Sequence, residues 1–258
     1  MQIYAIKTHK IQYGESLQTI LTQYIADLKE GDVVAITSKV ISVLEGRFVK
    51  KGDIDKYTLI LQEADQILET EENRYDIYLT LKNGLLIPSA GIDESNVDGV
   101  YVLYPQDVQK TAYWIWQYLC SKHNIRDLGI VITDSHATIM RRGVTGIALG
   151  WCGFSPLYSY IGKHDICNQS LNVTQINTLD SLAGAAVFVM GEGNEQTPIT
   201  IIKHAPRMTF LDRPPSEEEK LSIVISMEED LYGPLLKSAK WVMNKLGSVP
   251  FGRLHGIH

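Results

Sequence analysis

Cysteine is scarce, with only Cys120, Cys152 and Cys167 in 258 residues. An odd number without metal-type spacing argues against a disulfide framework or a thiolate zinc site, and for a reducing compartment. Long apolar runs are missing as well. The most apolar stretches, residues 144–154 and 183–191, fall far short of the roughly 20 residues that cross a bilayer. The opening MQIYAIKTHKIQYGES alternates as a strand does and lacks the apolar core of an export signal. Together these features point to a cytoplasmic chain with no membrane segment. An excess of positive charge is also absent: 24 Lys and Arg are scattered against 30 Asp and Glu, for a net charge of -6. Nucleic acid and anionic membranes are therefore poor partners, and a small molecule is the better one. No P-loop and no G-x-S-x-G occurs, and His123, His136, His164 and His204 lack metal-ligand spacing, so Walker-type and hydrolase readings lose support.

What is present is enough apolar residue, 45%, for one large core or two small ones. Residues 2–8 read as a strand, 16–28 as an amphipathic helix with Ser16 as N-cap, and 31–38 as a buried strand. Residues 55–71 read as a helix. Asn83-Gly84 between residues 77–81 and 85–88 is a two-residue hairpin signal. Helix 107–123, strands 128–133 and 144–150, helix 175–190 and strand 199–203 follow. Strands and helices do not alternate strictly, so we expect an α+β fold with mixed or mainly antiparallel sheets packed on helices, not a doubly wound parallel sheet. After Ala205 the texture changes to a Pro pair and a helix start at Ser216, leading into a long helical pattern toward Leu246. We expect a main region at 1–204 and a C-terminal helical element with a poorly ordered or partner-packed tail at 205–258.

Several clusters could carry chemistry. Asp93, in AGIDESN, brings a carboxylate, hydroxyl and amide together in a turn, which suits a hard cation such as Mg²⁺. Locally the same sequence also reads as an Asx-turn, and more readily so. Asp134 and Ser135 close an apolar strand, where a rigid backbone can present a ligand to a cleft, and Arg141 and Arg142 follow as either phosphate binders or solvated arginines. In Gly191-Glu192-Gly193-Asn194 the glycines would let backbone approach phosphate, although a helix C-cap accounts for them too. Ser38 and Lys39, at the end of a strand, could hold phosphate. Trp114, Trp116 and Tyr118 share one helix and read as core or subunit interface.

Taken in order and spacing, SKVISVLEGR (38–47), AGIDESNV (90–97), GIVITDSHATIMRRGVTGIALG (129–150), YIGKHD (160–165), SLNVTQINTLDSLAGAAVFVMGEG (170–193) and PITII (198–202) resemble the coenzyme F420-0:γ-glutamyl ligase family. The resemblance runs from about residue 31 to 203. It implies a ligase that uses a nucleoside triphosphate, GTP or another, to join L-glutamate to a carboxylate acceptor through an acyl phosphate. It implies two ions, Mg²⁺ or Mn²⁺, one held by Asp93 and Asp134, the other by Ser135 and Glu192. Nucleotide contacts would fall on Ser38, Lys39, Asn96 and the loop containing Met190, Gly191, Gly193, Asn194 and Thr197. It also implies a homodimer and a catalytic region of two intertwined subdomains. Two positions depart from the family pattern: Val43 stands where a lysine is usual, and Thr138 where an arginine is. Both losses remove positive charge near the phosphates, so a folate or pteroate acceptor is an alternative to the F420-0-like one. A non-catalytic nucleotide- or metabolite-binding relative is a third reading, against which the four retained metal positions argue.

Overall fold

The computed structural model describes residues 1–70 and 75–243. In chain order its strands and helices are β1 (Gln2–Ile6), α1 (Leu17–Tyr24), β2 (Asp32–Thr37), α2 (Ser38–Glu45), β3 (Phe48–Lys50), α3 (Lys56–Glu63), β4 (Gln66–Leu68), β5 (Leu79–Lys82), β6 (Leu85–Pro88), β7 (Val100–Val102), α4 (Val108–His123), β8 (Leu128–Ala137), β9 (Val144–Cys152), β10 (Leu157–Ser159), β11 (Gln175–Asn177), α5 (Thr178–Met190), β12 (Ile199–Lys203), α6 (Glu217–Ser222), α7 (Gly233–Ser238) and β13 (Trp241–Met243). A 3-10 turn, Ser89–Gly91, follows β6.

The central sheet has the order β1-β12-β2-β8-β9. Only β2 and β8 pair in parallel; the other three pairings are antiparallel. Period-two alternation assigns each side chain to a face. Val34, Ile36, Ile130 and Ile132 pack under α1 and α4, with Ile20, Leu21, Ala112, Ile115 and Leu119. Val33, Ala35 and Val131 pack under α5, with Leu179, Leu182, Ala183 and Ala186. Because both faces are covered, β2 is buried along its length except at Thr37. The approach of α5 is close: a Cβ at Gly146 would lie 2.3 Å from the Ala183 carbonyl oxygen. A smaller layer, the sheet β13-β4-β5-β6 together with α3, closes over Leu59, Ile60, Ile67, Ala90 and Leu103. This is the α+β fold with mixed and antiparallel sheets that the sequence leads one to expect.

Four local expectations are corrected, one of them at the helix expected over 175–190, whose first residues, Gln175–Asn177, form β11 against β10 so that α5 begins at Thr178. Residues 55–71 do not form one helix: α3 ends at Glu63, and Gln66–Leu68 is drawn into a sheet by β5 and β13. The strand expected over 31–38 stops at Thr37, and Ser38 and Lys39 begin α2, which ends at Gly46 in the left-handed conformation. The long C-terminal helical pattern from Ser216 is instead α6, α7 and the strand β13, with Gly233-Pro234 starting α7. Ser216 does cap α6, in a reciprocal capping box with Glu219. The tail 247–258 lies outside the described residues. Ahead of it, Met208 and Phe210 pack on the α5 side of the core.

Candidate active site

Four segments converge at one end of the central sheet. In the parallel pair Thr37 lies opposite Thr133, so the residues that follow each emerge together. These are Ser38 and Lys39 in the first turn of α2, and Asp134 and Ser135 where β8 outruns β2. Since β12 is antiparallel to β2, its start arrives at the same end: the Thr37 N–H donates to the Pro198 carbonyl at 3.0 Å, which brings in the loop 191–198. Asp93 arrives from the turn after β6 and exchanges backbone hydrogen bonds of 2.9 and 2.8 Å with Val102. These segments enclose a cleft of about 890 Å³ lined by Lys39, Asn96, Asp93, Asp134, Ser135 and Glu192, and by Met190, Gly191, Gly193, Asn194 and Thr197. Ser38 is buried beneath it, in a small recess shared with Lys39, Asp93, Tyr104 and Asp134.

A bulge between Ile132 and Thr133 interrupts the β8–β9 register just before the two site residues. Alternation then turns Asp134 and Ser135 to opposite faces of β8. On one side, the Tyr104 hydroxyl donates to Asp134 Oδ2 at 2.6 Å. On the other, Ser135 Oγ donates to Glu192 Oε2 at 3.3 Å. Asp93 and Asp134 share the small recess with Tyr104, while Ser135 and Glu192 meet on the other side.

Burial pushes the Asp134 carboxyl up to about 6, with Asp93 acting in the same direction and Tyr104, the Ser135 backbone and Lys39 opposing it. For Asp93, burial alone would raise the carboxyl, but the Lys39 ammonium and the donors of Ser95 outweigh it and hold it below the ordinary value. Lys39 forms an ion pair with Asp93 and donates to Ser95 Oγ at 2.8 Å. Burial and the neighbouring Asp134 carboxylate both raise the Tyr104 phenol, which stays protonated and can donate.

An all-oxygen set of two aspartates, a hydroxyl and a glutamate suits hard divalent cations. Among the described residues, no three His, Cys, Asp or Glu side chains converge tightly enough to hold a metal alone. Within the loop, the Gly193 N–H donates to Glu195 Oε2 at 2.8 Å and Thr197 Oγ1 donates to the Met190 carbonyl at 2.5 Å. A Cβ at Gly191, whose φ is +80°, would meet Glu195 Cδ at 2.5 Å. The left-handed φ there favours glycine, while the Glu195 side chain could swing away from a Cβ.

Arg141 and Arg142 are exposed on the β8–β9 connection and do not line the cleft, so they are not gathered with the other candidates. Val43 does line it, one turn along α2 from Lys39. Three features escaped the sequence reading. Tyr104 sits in an unremarkable strand-end stretch, and nothing local marks it. The segment Thr8 to Tyr13 crosses the cleft, with the Thr8 N–H donating to the Gln196 carbonyl at 2.8 Å. Val40, Phe48, Val100 and Val102 form an apolar wall.

Comparison with known proteins places the chain among relatives by sequence. The sequence model for F420-0:Gamma-glutamyl ligase matches residues 5–204. Coenzyme F420:L-glutamate ligase of Methanopyrus kandleri is 30% identical over 213 residues, 75% of this chain and 82% of that protein. The enzyme of the same name from Methanothermobacter thermautotrophicus is 30% identical, covering 70% of this chain and 77% of its own length. That of Methanosarcina mazei is 30% identical, with shares of 79% and 86%. The class so defined is that of amide-bond-forming ligases. The chain belongs to the F420-0:gamma-glutamyl ligase family, and the family match ends where the C-terminal segment begins. No helix among the described residues is long and apolar enough to cross a membrane.

Proposed function

We propose that this protein is a nucleoside-triphosphate- and metal-dependent γ-glutamyl ligase that forms an amide between L-glutamate and a carboxylate acceptor. The observation that carries the reading is the convergence of Asp93, Asp134, Ser135, Glu192 and Lys39 at one end of the β2–β8 pair, in a cleft of small-molecule size. Asp93 with Asp134, and Ser135 with Glu192, would hold two Mg²⁺ or Mn²⁺ ions. When bound, such ions supply charge neutralisation on the transferring phosphoryl group. The chain's own residues then position the reactants. Lys39 can exchange Asp93 for a phosphate oxygen when GTP or another triphosphate enters. The glycine-rich loop 191–194 lines the same cleft, where the Gly193 N–H would exchange Glu195 for a phosphate oxygen. Thr8 to Tyr13 and the apolar wall line the cleft beside the polar groups and would bound the acceptor there. An acceptor carboxylate oxygen attacks the γ-phosphorus, nucleoside diphosphate leaves, and an acyl phosphate results. The amine of L-glutamate then attacks the acyl carbon, phosphate departs, and the amine gives up a proton.

The test is phosphate release and product mass with GTP, L-glutamate, Mn²⁺ and a deazaflavin F420-0 acceptor, with Glu192→Ala as control. No turnover with any acceptor would sink the reading in favour of a binding protein. A second acceptor class is favoured by Val43, which presents an apolar surface to the cleft where a charge is usual in the family. An acceptor with fewer negative charges, such as a pteroate or folate, avoids an anion left unpaired in a partly dry site. Running both acceptors side by side decides between them. The same reading includes a homodimer, supported by exposed apolar side chains at Phe188, Val173 and Ile166.

A further inference from the structure

Tyr104 joins the site to a charge cluster behind it, Arg47, Glu63 and Lys82. Toward the cleft, its hydroxyl donates to Asp134 Oδ2 at 2.6 Å. Away from the cleft, three separate contacts hold it. Its carbonyl accepts from Arg47 Nε at 3.0 Å. Lys82 Nζ lies 5.5 Å from the centre of its ring. The ring packs on Gly91 so tightly that a Cβ there would come within 2.1 Å of Tyr104 Cζ. Arg47 and Lys82 are in turn tied together by Glu63, which accepts from Arg47 Nη2 at 3.2 Å and from Lys82 Nζ at 2.6 Å. None of Arg47, Glu63 and Lys82 lines the cleft, and Tyr104 touches both Arg47 and Lys82.

An aspartate's terminal torsion is broad and roughly two-fold, so an isolated carboxylate does not present one oxygen in one direction. A cation ligand must do so, and groups that hydrogen-bond to ligands from behind commonly supply that constraint. Here the donor is itself immobilised on three sides, and it engages Oδ2 alone. The geometry points to Tyr104 as a positioning residue that fixes the carboxylate plane of Asp134 for cation binding, with Arg47, Glu63 and Lys82 as its rigid backing.

This inference rests on the metal-dependent reading given above. The test is a calorimetric Mn²⁺ titration of the full chain, with a non-hydrolysable GTP analogue present, for wild type and Tyr104→Phe. The pH should stand about two units above 6, so that Asp134 is ionised in both. Tyr104→Phe keeps the ring and its contacts with Gly91 and Lys82. We expect its Mn²⁺ dissociation constant to rise about 10- to 100-fold, with the near-UV circular dichroism and the unfolding midpoint retained. Wild-type binding with an unchanged constant in the variant would overturn the inference and leave the proposed function standing. Weaker binding accompanied by a lost near-UV spectrum would assign the hydroxyl to the fold and overturn it too. Failure of the wild type itself to bind Mn²⁺ would remove the metal-dependent reading and this inference together.

Discussion

Glu63 offers the sharpest stability experiment. It ends α3 with its side chain 11% exposed and accepts from Lys82, itself 10% exposed, at 2.6 Å. Arg47 Nη2 reaches both carboxylate oxygens at 3.2 Å. Glu63→Gln keeps the shape and removes the charge, so Lys82 loses its carboxylate in a place too dry to hydrate it well. Breaking a buried pair from one side costs about 3–5 kcal/mol. Arg47 is 21% exposed and keeps some water, so we expect a loss of about 2–4 kcal/mol, read at neutral pH by urea unfolding with an unchanged slope. Glu63→Gln/Lys82→Met should recover part of it, since the orphaned ammonium is gone. The pH dependence follows from the sign of the shift. Burial alone would raise the Glu63 carboxyl, but Lys82 and Arg47 outweigh it and hold it below its ordinary 4.5. A depressed folded-state value means the contribution is fully present above 4.5 and fades as the pH falls through the folded value. Wild type and Glu63→Gln should therefore converge in acid. A difference under about 1 kcal/mol at neutral pH, or curves that stay parallel into acid, would refute the reasoning.

Gly91→Ala combines a φ of +73° with a Cβ only 2.1 Å from Tyr104; we expect a loss of about 2–4 kcal/mol in urea unfolding, together with weaker Mn²⁺ binding as the ring is displaced. In Lys39→Ala the cation paired with Asp93 is gone, so Mn²⁺ should bind more tightly without nucleotide while nucleotide binds less well. Titrations with and without GTP read both, and weaker metal binding in the nucleotide-free protein would contradict the assigned exchange. Light scattering should give twice the 29.0 kDa chain mass. Phe188→Asp, at a side chain 88% exposed on α5, should shift the protein toward the monomer, and a wild-type monomer at micromolar concentration would end the dimer proposal.

Elements with strong local signals were legible in the sequence. Asn83-Gly84 reads as a tight hairpin, and both residues take positive φ between β5 and β6. Asp107 reads as a helix start, and its side chain caps α4 through the Lys110 N–H at 2.9 Å. Failures occurred where distant strands decide. Residues 66–68 have no preference strong enough to leave a helical pattern until β5 and β13 offer hydrogen bonds on either side. Trp241–Met243 likewise is a strand only because β4 lies beside it. In the site, local sequence left the acidic residues ambiguous, Asp93 reading more readily as an Asx-turn, and only the resemblance aligned them. Tyr104 could not be picked out, because a tyrosine's role as donor depends on which carboxylate folds against it.

The parallel pairing of β2 with β8 has a kinetic consequence. A parallel neighbour cannot be reached by a tight turn, and here the connection is residues 38–127, which hold α2 through α4 and all of the smaller layer except β13. Lys39 departs at the start of that excursion, Asp93 lies within it, and Asp134 follows its return. The acidic centre therefore exists only after this long closure is complete, a step that is slow because its entropy is lost before its contacts form. On refolding, secondary structure should return first, and the capacity to bind a divalent cation should come back with the slowest phase.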